Sequence, residues 1–100
     1  MSRNDKPEGE VPERNAAKEK LVGLAGASWG ATAAQLALPG IQVAETSGER
    51  NRLINHLARS IVTEARRQFR HDPVLFDVWL EAAIEAASAR MDVGVGKEAA

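Results

Sequence analysis

Residues 46–92, TSGERNRLINHLARSIVTEARRQFRHDPVLFDVWLEAAIEAASARMD, decide the fold of this chain. Thr46 and Glu49 have the spacing of a helix capping box, and an apolar pattern with a period near 3.6 residues follows them. A second such pattern follows the dipeptide Asp72-Pro73, which suits an N-cap and a first helical turn. The stretch therefore predicts a helical hairpin formed by residues 47–70 and 73–91.

Each helix of the hairpin has one apolar face, and the second helix is apolar over the wider arc. A helix that is apolar around so much of its circumference must pack against two partners. The apolar residues are Leu53, Ile54, Leu57, Ala58, Ile61, Ala65 and Phe69 in the first helix, and Leu75, Phe76, Trp79, Leu80, Ala83, Ile84, Ala87 and Met91 in the second.

The second partner is predicted to come from residues 21–44, LVGLAGASWGATAAQLALPGIQVA, which contain no charged residue. We expect a helix over residues 18–38 that ends at Pro39, since the residue before a proline avoids the α region. Small residues gather on one side of it, so another backbone can approach closely. We predict helix-packing or dimer contacts at Gly23, Gly26, Trp29, Gly30 and Trp79.

The domain organisation follows from these patterns. We predict an all-α domain of three helices over residues 18–92, with the uncharged helix laid across the hairpin. Residues 1–17 are rich in charge and poor in apolar residues, which predicts a disordered tail. Residues 93–100 are predicted to be a flexible C-terminal tail. The eighteen alanines make the core small, and self-association often supplies burial to domains of this size.

The charges divide between the two hairpin helices. Residues 49–71 carry six arginines against two glutamates, and residues 72–92 carry five acids against one arginine. Projected at 3.6 residues per turn, each set forms a line opposite the apolar face of its helix. We define the basic face as Arg52, His56, Arg59, Arg66 and Arg70, and the acidic face as Asp77, Glu81 and Glu85.

A stripe of one sign weakens its own helix, because like charges four residues apart repel. We therefore expect partners of opposite charge and predict a small non-enzymatic protein, regulatory or adaptor-like, that binds another protein or forms a homodimer. One alternative is a nucleic-acid-associated protein that uses the arginine stripe. A less favoured alternative is a single membrane span through residues 21–44, whose alanines, glycines and proline dilute the hydrophobicity. We expect a cytoplasmic location, since the charged start does not resemble a targeting segment.

Catalytic residue types occur but lack a catalytic arrangement. His56, Ser60 and Glu64 follow one another along one helix, where no free backbone N–H groups could form an oxyanion hole. His71 and Asp72 supply only two metal ligands, and the chain has no cysteine. We predict no catalytic site, metal, cofactor or small-molecule substrate.

Overall fold

Three helices account for the regular structure of residues 15–99, which are the residues that a computed structural model describes. They are α1 (Ala16–Val43), α2 (Ser47–Gln68) and α3 (Pro73–Ala99). Side-chain environments are described for residues 15–93. The predicted all-α class with three helices is confirmed. The predicted N-terminal tail lies outside the described residues, except that its last residues belong to α1 and its cap.

Each helix begins at a side-chain cap. The Asn15 side chain accepts a hydrogen bond of 3.0 Å from the backbone N–H of Lys18. The Thr46 hydroxyl accepts one of 3.1 Å from the N–H of Glu49. The Asp72 carboxylate accepts one of 3.1 Å from the N–H of Leu75. Each cap satisfies one of the four N–H groups that a helix start leaves without a partner.

The prediction that the first helix ends at Leu38 is wrong, because α1 continues through Pro39 to Val43. An interior proline removes one helical hydrogen bond and crowds the preceding turn. Here the Pro39 ring lies on the exposed side of α1, whereas Leu38 and Ile41 are buried on the other side. Burial of the residues that follow offsets the cost of the proline, so the helix continues past it.

The predicted end of the third helix near residue 91 is also wrong. α3 continues to Ala99, so residues 93–99 of the predicted C-terminal tail are helical. Gly94 and Gly96 lie within this extension. A glycine costs about 1 kcal/mol in a helix interior, but its backbone adopts helical angles freely.

The largest interface joins α1 to α3, and not the two helices of the predicted hairpin. A Cβ atom at Gly26 would lie 3.1 Å from the Trp79 Cα and would collide with the Trp79 carbonyl oxygen. One at Gly30 would lie only 2.8 Å from the Ala83 Cα. The two glycines thus let the backbones of α1 and α3 meet, which explains why this pair dominates the packing.

α1 and α3 run parallel to each other. Gly26 meets Trp79, Gly30 meets Ala83, and the Arg90 guanidinium donates a hydrogen bond of 3.2 Å to the Gln35 side chain. Residue numbers therefore rise together along both helices. Since α2 connects the end of α1 to the start of α3, it must return in the opposite direction.

α2 packs against both of the other helices and closes the core. Trp79 is the largest side chain of the core and is only 1% exposed. Its ring centroid lies 5.5 Å from that of Trp29 and 6.5 Å from that of Phe69. These aromatic contacts join α1 and α3 to the residue that caps the end of α2. The buried cluster consists of Ala34, Leu57, Ile61, Ala65, Trp79, Ala83 and Ala87.

Candidate partner-binding surface

The basic face lies on the exposed side of α2. The buried residues of α2 occupy the opposite side of the helix and pack that side against the core; they are Leu57, Ile61 and Ala65. Within residues 15–93, no basic-face side chain has an ion-pair or hydrogen-bond partner. From Arg52 to Arg66 the face follows α2 for about 21 Å, at 1.5 Å per helical residue. Arg70 lies past the end of the helix, because α2 ends at Gln68 and not near residue 70 as predicted. The face therefore presents cationic groups to a partner over about four turns of α2 and at the turn that follows it.

Arg67 does not belong to these unpaired side chains, because it forms an ion pair with Glu64 on its own helix. The Arg67 Nε donates a hydrogen bond of 3.1 Å to one carboxylate oxygen, and the second oxygen accepts from the other side of the guanidinium and from the Gln68 amide. The hydrogen bond from Arg67 is the main reason that the pKa of Glu64 falls to about 2, with the Gln68 amide adding to it. The same contact raises the pKa of Arg67.

An open depression of about 780 Å³ lies where α2 ends and α3 begins. We call it the aromatic depression, because Phe69, Pro73 and Phe76 supply its apolar surface. Phe69 is held in place from behind by its contact with Trp79. The rest of the lining is polar or cationic and includes two members of the basic face: Thr63, Arg66, Arg67, Arg70 and His71.

A second, smaller depression of about 330 Å³ lies near the start of α2. It contains the other three members of the basic face, Arg52, His56 and Arg59, together with the amides of Asn51 and Asn55. No aromatic side chain lines it. The basic face thus has a purely polar end and an end at which charge borders apolar surface.

The acidic face is exposed on α3, on the side of that helix away from its buried residues. Asp77, Glu81 and Glu85 have no ion-pair partner among the residues whose side chains the structure describes. Asp77 directly follows Phe76, so the acidic face starts in the first turns of α3, close in sequence to the aromatic depression. The two predicted charged faces do not neutralise each other through ion pairs within this chain.

The predicted glycine and tryptophan contacts lie inside the chain. Gly26, Gly30 and Trp79 lie at the α1–α3 interface, and a Cβ at Gly23 would be 3.7 Å from the Val78 side chain. Trp29 packs on Trp79. A subunit contact through this face would have to displace α3, so the face belongs to helix packing.

The side chains of Ser60 and Glu64, two of the three catalytic residue types on α2, are engaged in local hydrogen bonds. The Ser60 hydroxyl donates to the His56 carbonyl oxygen over 3.0 Å, and Glu64 accepts from Arg67 and Gln68. The hydroxyl thus bonds to the backbone of His56 and not to its imidazole. This arrangement has the geometry of a regular helix surface, not of a hydrolytic triad.

Sequence reasoning missed the aromatic depression. The sequence pattern places Phe69 and Phe76 on the apolar faces, because they continue the apolar patterns of their helices. The signal that could have identified the site is the turn itself, where two phenylalanines flank Arg70, His71 and a proline. Both phenylalanines are only partly buried in the structure.

Comparisons of the chain with family models, with curated proteins and with solved structures gave no match. The surfaces described above therefore carry the functional argument by themselves.

Proposed function

We propose that this protein is a non-enzymatic, adaptor-like module that binds an acidic segment of another protein along the basic face of α2. In this proposal an apolar side chain of the segment occupies the aromatic depression. The single observation that carries the proposal is the combination, in that depression, of Phe69 and Phe76 with the free guanidinium groups of Arg66 and Arg70.

The arginines supply attraction and orientation. Guanidinium groups bind carboxylates through paired, charge-assisted hydrogen bonds. The basic-face arginines are exposed and form no ion pair with any residue that the structure describes, so no internal ion pair has to be broken when a partner binds. Their spacing along one helix matches a partner that presents acids at every turn or two.

The aromatic depression supplies an anchor. Binding energy concentrates where a buried apolar or aromatic side chain fills a pocket, while surrounding charged pairs add less. The pocket lies beside two arginines, so an anchor flanked by acids would satisfy both parts of the site at once. The polar depression near Arg52 would accept the remaining acids of the segment.

Nucleic acid is the competing partner, and the acidic face argues against it. A duplex or a long single strand is a continuous polyanion that extends beyond the stripe it binds. Asp77 follows Phe76, which lines the aromatic depression, and begins a line of three unpaired carboxylates along α3. A polyanion that extended onto this line would meet like charge, whereas a short acidic segment can end before it.

Binding of labelled probes, followed by fluorescence anisotropy at two salt concentrations, tests the proposal. The probes are a glutamate-rich peptide with one central leucine, the same peptide with alanine in place of leucine, a duplex DNA and a single-stranded RNA. We expect the leucine peptide to bind most tightly and each peptide to weaken as salt rises.

Matched variants locate the site. Arg59→Glu combined with Arg66→Glu should weaken binding of the leucine peptide at least tenfold, or about 1.4 kcal/mol. Lys20→Glu combined with Arg50→Glu makes the same change in net charge outside the basic face and should retain most of the binding. Equal losses in the two variants, or no advantage of leucine over alanine, would contradict the proposed site. Binding of nucleic acid but not of peptides would support the alternative function.

A further inference from the structure

The side of α1 opposite its glycines is exposed and uncharged. Leu21 is 68% exposed, Leu24 60%, Leu36 78% and Val43 76%. Helical spacing places these residues on one strip with smaller exposed residues between them. We define the outer face of α1 as Leu21, Leu24, Ala25, Ser28, Thr32, Leu36, Pro39 and Val43.

The residues of this face do not belong to the core. The opposite side of α1 already meets the α3 backbone at Gly26 and Gly30. The large side chains of the outer face remain mostly exposed, so neither α2 nor α3 covers it. A contiguous exposed apolar strip of this kind marks an interaction surface in a soluble domain.

The charges at the two ends of the strip indicate its occupant. Lys18 is exposed at the N-terminal end, and Glu45 is exposed just beyond the C-terminal end. Neither side chain has an ion-pair partner among the described residues. Two parallel copies of the strip would bring Lys18 against Lys18 and Glu45 against Glu45, whereas two antiparallel copies would bring lysine against glutamate.

The side-chain sizes along the strip favour the same orientation. Thr32 lies midway between Leu21 and Val43, and Ser28 and Thr32 make the middle of the strip small. In an antiparallel pair with its two-fold axis near Thr32, Leu21 of one copy faces Val43 of the other, and Leu36 faces Ser28. Large residues then pack at both ends or against small ones, and the helices approach closely at the centre.

We propose that a second copy of this chain docks on the outer face of α1, antiparallel, with the two-fold axis near Thr32. The interface is isologous, so each residue contact occurs twice. This proposal differs from the predicted dimer contact through the glycine face, which α3 occupies. It does not depend on the function proposed for α2, since the outer face of α1 contains none of the basic-face residues.

A lipid bilayer is the competing occupant. By length and composition alone α1 could cross a membrane, a test that core helices of soluble proteins also pass. However, α3 runs parallel to α1 with backbone contacts at Trp79 and Ala83. Insertion of the folded chain would carry Asp77, Glu81 and Glu85 to the same depth, and carboxylates inside hydrocarbon are costly.

Sedimentation of the full chain over a range of concentrations tests the dimer. We expect a Kd of about 1 µM, so that the chain is almost completely dimeric at a protein concentration of roughly 100 µM. Leu36→Glu places two charges in the interface and should give a monomer with unchanged helix content. Ala58→Glu adds the same charge on an exposed position of α2 and should leave the dimer intact.

Engineered cysteines test the orientation, because the chain has no cysteine of its own. Disulfides require Cα atoms within about 7 Å of each other. Thr32→Cys should therefore oxidise to a covalent dimer. Leu21→Cys alone should not, since two such positions lie about 33 Å apart in the antiparallel pair. A mixture of Leu21→Cys and Val43→Cys chains should cross-link.

Three results would overturn the proposal. One is a monomer at every concentration without cross-linking through Thr32→Cys. Another is rapid cross-linking of Leu21→Cys alone, which would show a parallel pair. The third is a chain that is monomeric in solution but sediments with phosphatidylcholine vesicles, which would assign the outer face to a bilayer.

Discussion

Replacing Gly30 by alanine tests the contact that organises this fold. The added Cβ would lie 2.7 Å from the Ala83 carbonyl carbon and 2.8 Å from the Ala83 Cα, and it would overlap the carbonyl oxygen. Contacts tighter than 3.4 Å force a neighbour to move. Here the neighbour is helix backbone, so α1 and α3 must separate by more than the roughly 0.6 Å that the contact with the Ala83 Cα alone requires.

The magnitude follows from two opposing effects. Overpacking of a well-packed interface costs about 1–3 kcal/mol, and a clash with backbone belongs near the top of that range. Alanine regains about 1 kcal/mol of helix propensity relative to glycine. We therefore expect Gly30→Ala to lower the free energy of unfolding by about 2 kcal/mol, which corresponds to a fall in Tm of about 8–16 °C for a domain of this size.

Gly23→Ala is the matched control within the same helix. Its Cβ would meet only the Val78 side chain, at 3.7 Å, which is an ordinary contact. With no clash, the propensity gain remains, and we expect this variant to be more stable by about 0.5–1 kcal/mol. The same substitution should thus have opposite signs at two positions seven residues apart.

The assay is urea unfolding, followed by far-UV circular dichroism and by tryptophan fluorescence. Coincident transitions from the two probes would justify a two-state treatment. If Gly30→Ala were as stable as the parent chain, or if both variants shifted stability in the same direction, the close approach of α1 to α3 at Gly30 would be refuted.

Three further predictions concern the proline, the core and an ion pair. Pro39→Ala should raise the free energy of unfolding by about 1–2 kcal/mol in the same assay, because it restores a helical hydrogen bond at an exposed position without loss of packing; a lower stability would show that the proline shapes the α1–α2 contact. Trp79→Ala should lower the free energy of unfolding by about 3–5 kcal/mol, since the side chain is 1% exposed. Ile84→Ala, at a position 44% exposed, should lower it by less than about 1 kcal/mol, and similar losses at both sites would contradict the assigned core. The pKa of Glu64 is lowered in the folded chain from 4.5 to about 2. Its pairing with Arg67 therefore stabilises the fold fully at pH values above 4.5, and this stabilisation is lost as the pH falls toward 2. The difference in the free energy of unfolding between the parent chain and Glu64→Gln should shrink between about pH 5 and pH 2, and a difference that does not depend on pH would exclude this ion pair as its source.

The functional proposals use two separate surfaces of the same chain. The basic face and the aromatic depression lie on α2 and at its junction with α3, while the outer face lies on α1. If both proposals hold, a dimer through α1 would present two copies of the basic face. A partner with two acidic segments would then bind more tightly than either segment alone, through effective concentration.

Much of the candidate surface could be predicted from the sequence because it depends on one helix at a time. The positions of Arg52, Arg59 and Arg66 relative to Leu57 and Ile61 follow from 3.6 residues per turn and from the burial of apolar side chains. The capping roles of Thr46 and Asp72 are equally local, since the donor and acceptor lie within three residues of each other. The aromatic depression could not be predicted in this way, because it is formed by residues from the end of α2, the turn and the start of α3 together.

The sequence by itself determined three helices, their caps at Thr46 and Asp72, and the sides of α2 and α3 that carry unpaired charge. These features arise from interactions within a few residues along the chain. Only the tertiary structure decided that α1 pairs chiefly with α3, that it continues past Pro39, and that its leucines at 21, 24 and 36 remain exposed. Those outcomes depend on distances between helices. Glycines permit a close approach without specifying the partner, and the cost of a proline is overcome only where burial on both sides of it offsets the lost hydrogen bond.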